Sequence, residues 1–337
     1  EHAAAIARHL GTEHTELYLT AADSLTLVPR LPDLYDEPFA DPSQLPTFLV
    51  SQLARQRVTV ALTGDGGDEL FAGYSAYSRS LKQWDTWRRL PAGMRGGIAD
   101  IARAAAESPW LAGRGRRTRK LAAKLADRAG RMRGATPVAM LAGKRSACDR
   151  PEALVPGGRA LPTVLSDPAL VAAVDDPLLA MQQVDIEGYL TDDILVKVDR
   201  ASMAVALEVR CPLLDWRIVE FALSLPPSMR LGPGGGKQVL RTLLARHVPP
   251  ALWDRPKAGF GIPVAEWLRG PLRDWAESLL DERRLRDGGL LAAQPVRRLW
   301  AQHLAGTHNH ERLLWSLLMF QAWHARWCTG AAPRIAA

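Results

Sequence analysis

Three carboxylates fall within five positions of a glycine-rich turn in Thr63-Gly-Asp-Gly-Gly-Asp-Glu69, directly after the apolar run Val58-Thr-Val-Ala-Leu62. The run reads as a parallel strand covered on both faces, and ligands of such sheets gather at the strands' carboxyl ends. Gly64, Gly66 and Gly67 let the backbone bend and approach a ligand closely. Asp65, Asp68 and Glu69 place negative charge where phosphates would sit, an arrangement that makes sense with Mg²⁺ between them, because hard cations prefer carboxylate and phosphate oxygens. The loop alone is equally compatible with a solvated turn carrying helix-start acids.

A second dense patch runs from Thr191 to Asp215. On a helix, Ile194, Leu195, Val198 and Ala201 occupy the core stripe, so some of the neighbouring charges must point inward. Buried charges are expensive unless paired. Asp193, Lys197, Asp199, Arg200, Glu208 and Arg210 are therefore expected to form a network around a polar site, although a purely structural ion-pair network would look the same. A third patch, Trp253-Asp-Arg-Pro-Lys-Ala-Gly-Phe-Gly-Ile-Pro263, holds Lys257 on a Pro/Gly-punctuated loop. Such a loop can close over phosphates, where the ammonium would stabilise charge developing on a leaving group. A lone loop lysine is equally a surface charge.

The elements that must position these patches follow from periodicity. Residues 1–80 alternate between helix and strand: a helix over Ala3–Leu10 stopped by Gly11, a strand at Leu17–Leu19, a helix over Ser24–Leu31, a helix over Pro46–Gln56, and the strand Val58–Leu62. From about Leu81 strand signals nearly vanish and helical periodicity dominates. The expected fold is α/β, an incomplete open parallel sheet followed by a mostly helical region. Residues 1–80 would be the remainder of the sheet, 81–150 a basic helical insertion and 151–337 a further helical part, with 80–337 forming one unit with the sheet. The chain opens on Glu1 rather than Met, and its first residues read as the end of a helix, so upstream sequence is expected.

Bulk properties narrow the class. With 337 residues, 47% apolar and 23% charged, the chain has the composition of a soluble globular protein. Cys148, Cys211 and Cys328 are too widely spaced for a disulfide framework or a zinc site, which points to a reducing, cytoplasmic setting. No apolar run reaches the length of a membrane span. The net charge of +7 is concentrated between Arg114 and Arg133, where nine basic residues face only Asp127. Without interleaved aromatics to stack bases, that segment reads as a solvated helix face rather than a nucleic-acid site. His303, His308 and His310 lack a familiar metal-ligand spacing, and Ser146 and Cys148 have no visible catalytic partner.

Taken together, Thr63-Gly-Asp-Gly-Gly-Asp-Glu-Leu-Phe-Ala-Gly-Tyr74, Asp192-Asp193 through Asp-Arg-Ala-Ser-Met-Ala204, Leu207-Glu-Val-Arg-Cys-Pro-Leu-Leu-Asp215 and Arg255-Pro-Lys-Ala-Gly-Phe260 resemble the synthetase domain of glutamine-hydrolysing asparagine synthetases. The order and spacing of the four motifs agree from residue 1 to about residue 280. The resemblance implies a fold of the ATP-pyrophosphatase (adenine nucleotide α-hydrolase-like) type that uses ATP and Mg²⁺. It would adenylate the β-carboxylate of aspartate, or a similar carboxylate, and let ammonia displace AMP. By this resemblance Thr63 and Gly64 border the adenylate, Asp68 binds Mg²⁺, and Asp65 takes the place of a catalytic glutamate. Asp193 lies near the position of its acidic partner, Glu208 and Arg210 shape the amino-acid pocket, and Lys257 holds the phosphates. Asp36 and Asp41 match a family loop to which the sequence assigns no role. The family's S-G-G-x-D-S loop and its ammonia-supplying glutaminase domain have no counterpart here, so the chain by itself is expected to be inactive. Related cyclases and amidotransferases acting on another carboxylate are the alternative, as is a non-catalytic chain that binds partners through its Trp-rich helical half; a homodimer is left open.

Overall fold

The computed structural model describes residues 2–18, 25–106, 108, 118, 122, 125, 136–148, 150–167, 174–255 and 261–329. Two compact units emerge: Glu1–Val28 with Asp41–Ser78 and Gln182–Ile262, and Pro29–Ala40 with Arg79–Met181 and Pro263–Ala337.

In the first unit, helix His2–Leu10 ends at Gly11, whose φ of +66° lets Thr12 N–H reach back to Ala7 O at 3.0 Å. Helix Gln44–Arg55 matches the expected segment and packs on helix Val196–Met203. Strand β1, Val60–Leu62, pairs in parallel with β2, Glu208–Arg210, in the register Val60↔Glu208 and Leu62↔Arg210. Two expectations fail here. Among the described residues the parallel sheet has only these two strands, and Val60 and Leu62 remain 38% and 70% exposed, so β1 is not covered on both faces. Leu17 and Tyr18 form no strand and are exposed; Leu19 lies outside the described residues. Of the expected Ser24–Leu31 helix, Ser24 lies outside the described residues, and the rest is helical turns over 25–27, Val28–Arg30 and Leu31–Leu34.

The segment Asp185–Leu195 is a π-helix, continued by the α-helix Val196–Met203. Its buried side chains, Asp185, Leu190 and Ile194, recur at intervals of five and four, the wider pitch of i→i+5 bonding. A small antiparallel hairpin, β3 (Leu231–Gly232) and β4 (Gly235–Gly236), completes the unit. Its apolar centre includes Leu70, Phe71, Ala222 and Leu225, with Ile218, Val219 and Leu240 against them.

Among its described residues the second unit has helices joined by loops and no strand. Helices Val264–Arg269, Arg273–Leu279, Ala293–Leu304 and Glu311–Trp327 bury Trp267, Trp275, Trp300 and Trp315, and the Trp275 and Trp315 rings lie 6.2 Å apart. These tryptophans make a core rather than a surface. His303 is fully buried with both ring nitrogens engaged: Nδ1 accepts from His310 N–H at 3.2 Å and Nε2 faces Ala265 O at 3.3 Å. The basic segment Arg114–Arg133 lies outside the described residues, except for Thr118, Ala122 and Leu125. No helix among the described residues is long and apolar enough to cross a membrane.

Candidate active site

The carboxyl ends of β1 and β2 bring the first group of site residues together. Thr63 N–H donates to Arg210 O at 2.9 Å, extending the parallel ladder by one bond. The Thr63 hydroxyl donates to Asp65 Oδ2 at 2.7 Å and lies 3.4 Å from Cys211 Sγ. Thr63, Asp65, Arg210 and Cys211 therefore share one strand-end surface. Glu208 and Arg210 pair with each other at 2.6 Å in solvent, and an open concavity of about 600 Å³ lies against Leu62, Arg210, Cys211 and Ile218.

The glycines of the loop do different things. Gly66 has φ +85°, and a Cβ there would meet Leu214 at 2.2 Å; one on Gly67 would meet Leu213 at 2.9 Å. These two let the turn pack on the chain after β2, a structural use distinct from ligand approach. Gly64 has nothing within 4 Å of an added Cβ and alone of the three faces open space.

Beyond the turn, each of the remaining acids has its own partner. Asp68 Oδ1 lies 3.2 Å from Lys237 Nζ, at the edge of a cavity of about 390 Å³ also lined by Tyr74, Ser75, Ser78, Arg241 and Arg255. Gly73 is tight against this pair, because a Cβ there would stand 2.1 Å from Asp68 Oδ1 and 2.3 Å from Lys237 Cε. Glu69 points the other way and is 1% exposed. Burial pushes its carboxyl above the ordinary range, against the pull of the Tyr74 hydroxyl, which donates to it at 2.5 Å. The same burial, and then the Glu69 charge, drive the Tyr74 hydroxyl upward. Tyr77 in turn donates to the buried Asp185 at 2.6 Å.

The charged network expected around residues 193–210 is only partly present. Asp199 and Arg200 are exposed and 3.9 Å apart, and Glu208 and Arg210 also face solvent. At 3.6 residues per turn the buried stripe Ile194, Val198 and Ala201 leaves Asp199 and Arg200 on the opposite, solvent-facing side. The buried member is Lys197, and its partner at 2.9 Å is Asp41. Asp41 also accepts from Ser43 N–H at 2.9 Å and Ser43 Oγ at 2.8 Å. Burial would raise its carboxyl, but the Lys197 ammonium and the Ser43 bonds hold it below the ordinary range. Asp193 is half-buried on the π-helix, and Lys257 lies outside the described residues.

Lys237, absent from the residues picked by motif, is the cation facing Asp68. The signal was present: a glycine run, Gly234-Gly-Gly236, ends in a lysine that opens helix Gln238–Leu244. Lys237 holds φ +62°, an uncommon conformation for a side chain with a Cβ, and its N–H donates to Phe71 O at 2.7 Å.

This geometry coincides with a family match. The family model "Asparagine synthase" fits residues 1–325. The chain belongs to the asparagine synthase family. A Mycobacterium tuberculosis protein provisionally named glutamine-hydrolysing asparagine synthetase is 33% identical over 329 residues, covering 96% of this chain and 48% of that protein. The glutamine-hydrolysing asparagine synthetase 1 of Bacillus subtilis is 27% identical over 322 residues, covering 94% and 48%. A shorter match, 35% over 103 residues, links 28% of the chain to the asparagine synthetase of Bos taurus. The chain spans about half the length of the first two relatives. Its mostly helical α/β structure with a small parallel sheet is compatible with an asparagine synthase domain.

Proposed function

We propose that this asparagine synthase-family chain forms the synthetase part of an ATP-dependent amide-forming ligase, built on a sheet of the ATP-pyrophosphatase type. The observation that carries the reading is the sequence of two neighbouring features on one loop. Thr63, Gly64 and Asp65 lie at the carboxyl end of a parallel strand. Asp68 and Lys237 follow at a polar cavity with Arg241 and Arg255.

The residues present fit ATP with Mg²⁺. Asp68 contributes a hard oxygen at a cavity lined by three cations, in a cradle that a Cβ on Gly73 would fill. Asp68 would share the ion with phosphate oxygens. The bound ion would neutralise phosphate charge. Lys237, Arg241, Arg255 and the sequence-assigned Lys257 would hold the departing pyrophosphate. Thr63 and Gly64 would border the adenylate, and Glu208 and Arg210 would orient the amino-acid substrate.

The chemistry has two steps. An oxygen of the aspartate β-carboxylate attacks the α-phosphorus and the α–β P–O bond breaks, releasing pyrophosphate. Ammonia, supplied by glutamine hydrolysis elsewhere in the complete protein, then attacks the acyl carbon; the acyl–O bond breaks, AMP leaves, and Asp65, with Asp193 in support, takes the proton released from nitrogen. The Thr63 hydroxyl already holds Asp65 at 2.7 Å in a fixed orientation.

Aspartate-dependent exchange of labelled pyrophosphate into ATP tests the reading. The complete protein should show exchange, Asp68→Asn and Lys257→Ala should abolish it, and the 337-residue chain alone should show none. Wild-type exchange by Asp68→Asn would overturn the assignment of the loop.

A further inference from the structure

Nothing in the sequence motifs points to Gln182 or Arg230, yet in the fold they form a buried relay that ends on the acidic loop. Arg230 is 2% exposed and Gln182 fully buried. The guanidinium donates from Nε to Leu225 O at 3.0 Å and from Nη1 to Gln182 Oε1 at 2.5 Å. Gln182 Nε2 then donates to Glu69 O at 2.6 Å and Leu70 O at 2.8 Å. A guanidinium has no acceptor, so Arg230 requires the oxygen end of the amide. The amide's two donors are thereby turned toward the loop.

Glu69 and Leu70 close the single turn Gly67–Leu70, whose terminal carbonyls have no partner within the turn. Gln182 satisfies two of them. Leu70 and Leu225, the residues at the two ends of the relay, belong to one buried apolar cluster, so the relay spans a region that cannot relax into water. Apolar side chains could fill the same space without desolvating a cation. What they could not do is fix the position of two carbonyls.

We propose that Gln182 and Arg230 are positioning residues for Asp68: they lock the carbonyl end of its turn and so hold its carboxylate toward Lys237 and the cavity. This rests on the reading of Asp68 as the group that faces metal and phosphate. Two further bonds hold the far side of the same turn, Gly73 N–H to Asp68 O at 2.7 Å and Lys237 N–H to Phe71 O at 2.7 Å. The turn is thus tied on both sides, and the relay is its inner tie.

The test uses the complete protein, with Mn²⁺ binding by electron paramagnetic resonance and the Mg²⁺ dependence of pyrophosphate exchange as readouts. Gln182→Glu keeps an acceptor for Arg230 while removing both donations to the loop. It should raise the half-saturating Mg²⁺ and weaken Mn²⁺ binding by about tenfold or more, as outer partners of metal ligands do. Arg230→Lys, which keeps the charge, should shift both less. Gln182→Glu with wild-type metal response, while Asp68→Asn abolishes it, overturns the positioning role and leaves the reading of Asp68 standing. An unaltered metal response in Asp68→Asn overturns both. Should Gln182→Glu not fold, hydrogen exchange of the wild type decides: the Leu70, Gly73 and Lys237 amides should be strongly protected, and exchange at the rate of open loops overturns the proposal.

Discussion

Gly236→Ala is the substitution whose consequence the structure fixes most closely. An added Cβ would stand 1.8 Å from Ala72 O, 2.6 Å from Ala72 C and 2.9 Å from Gly73 Cα, all backbone atoms that cannot rotate aside. The hairpin must therefore separate from the loop. Separation adds overpacking strain of about 1–3 kcal/mol. It also breaks the Lys237 N–H bond to Phe71 O, with a net value of about 1 kcal/mol. Together these come to roughly 2–4 kcal/mol, which for a folding unit of this size lowers Tm by roughly 5–15 °C. Gly235→Ala separates clash from backbone strain: Gly235 has φ +102° but nothing within 4 Å of an added Cβ, so its cost is conformational alone, about 1–2 kcal/mol. Thermal unfolding of the complete protein, followed by tryptophan fluorescence, measures both. A Gly236→Ala protein melting within 2 °C of wild type would refute the tight contact between hairpin and loop.

Three further outcomes follow from the buried charges. Lys197→Met leaves the Asp41 carboxylate, 17% exposed, without its ammonium, and should destabilise by about 3 kcal/mol at pH 7 in chemical denaturation. Because Asp41 is held below its ordinary range, the stability from this pair is present above the unfolded carboxylate range and fades as pH falls through the folded value, so the mutant's deficit should shrink in acid. Glu69 has the opposite sign: raised by burial, its ionised form weakens the fold as pH rises past the ordinary carboxylate range, so Glu69→Gln should raise Tm at pH 7 and leave it unchanged near pH 3.5. His310, pushed down to about 4 by burial and by His308 and His303, stabilises fully above the unfolded value and loses that contribution between about pH 6.5 and pH 4. Its partial exposure reduces the effect to about 1–2 kcal/mol, and His310→Gln should flatten the stability profile in that window.

What was legible in the sequence was local. The helix stop at Gly11, the helix over Gln44–Arg55 and the turn of the acidic loop all rest on residues within one or two turns of one another. What was not legible depends on distance or on which charge of a helix turns inward. Strand β2 is three residues, Glu-Val-Arg, too short and too charged to announce itself, and exists because Val60–Leu62 lies beside it. The core stripe Ile194, Val198 and Ala201 is buried as its spacing requires, but the inward charge it shares the helix with is Lys197, while Asp199 and Arg200 lie in solvent. Asp41 offered no role because its partner, Lys197, is 156 residues away. Lys237 belongs to none of the sequence motifs, since only the fold brings that lysine to Asp68.

The acidic loop shows why a dense charge motif needs such distant support. Asp65, Asp68 and Glu69 lie within five positions, and left to themselves like charges this close oppose one another's ionisation. The fold gives each a different direction and a different partner. Asp65 takes a hydroxyl from its own strand end, Asp68 takes an ammonium from across the cavity, and Glu69 turns into the interior against Tyr74. Of the three, Asp68 and Asp65 then remain available to a ligand, and Glu69 is driven upward by burial. The motif supplies three similar side chains. Lys237, Tyr74 and Thr63, together with the Gln182 relay beneath the turn, give each a different environment, the difference that the proposed division between holding phosphate and accepting a proton would require.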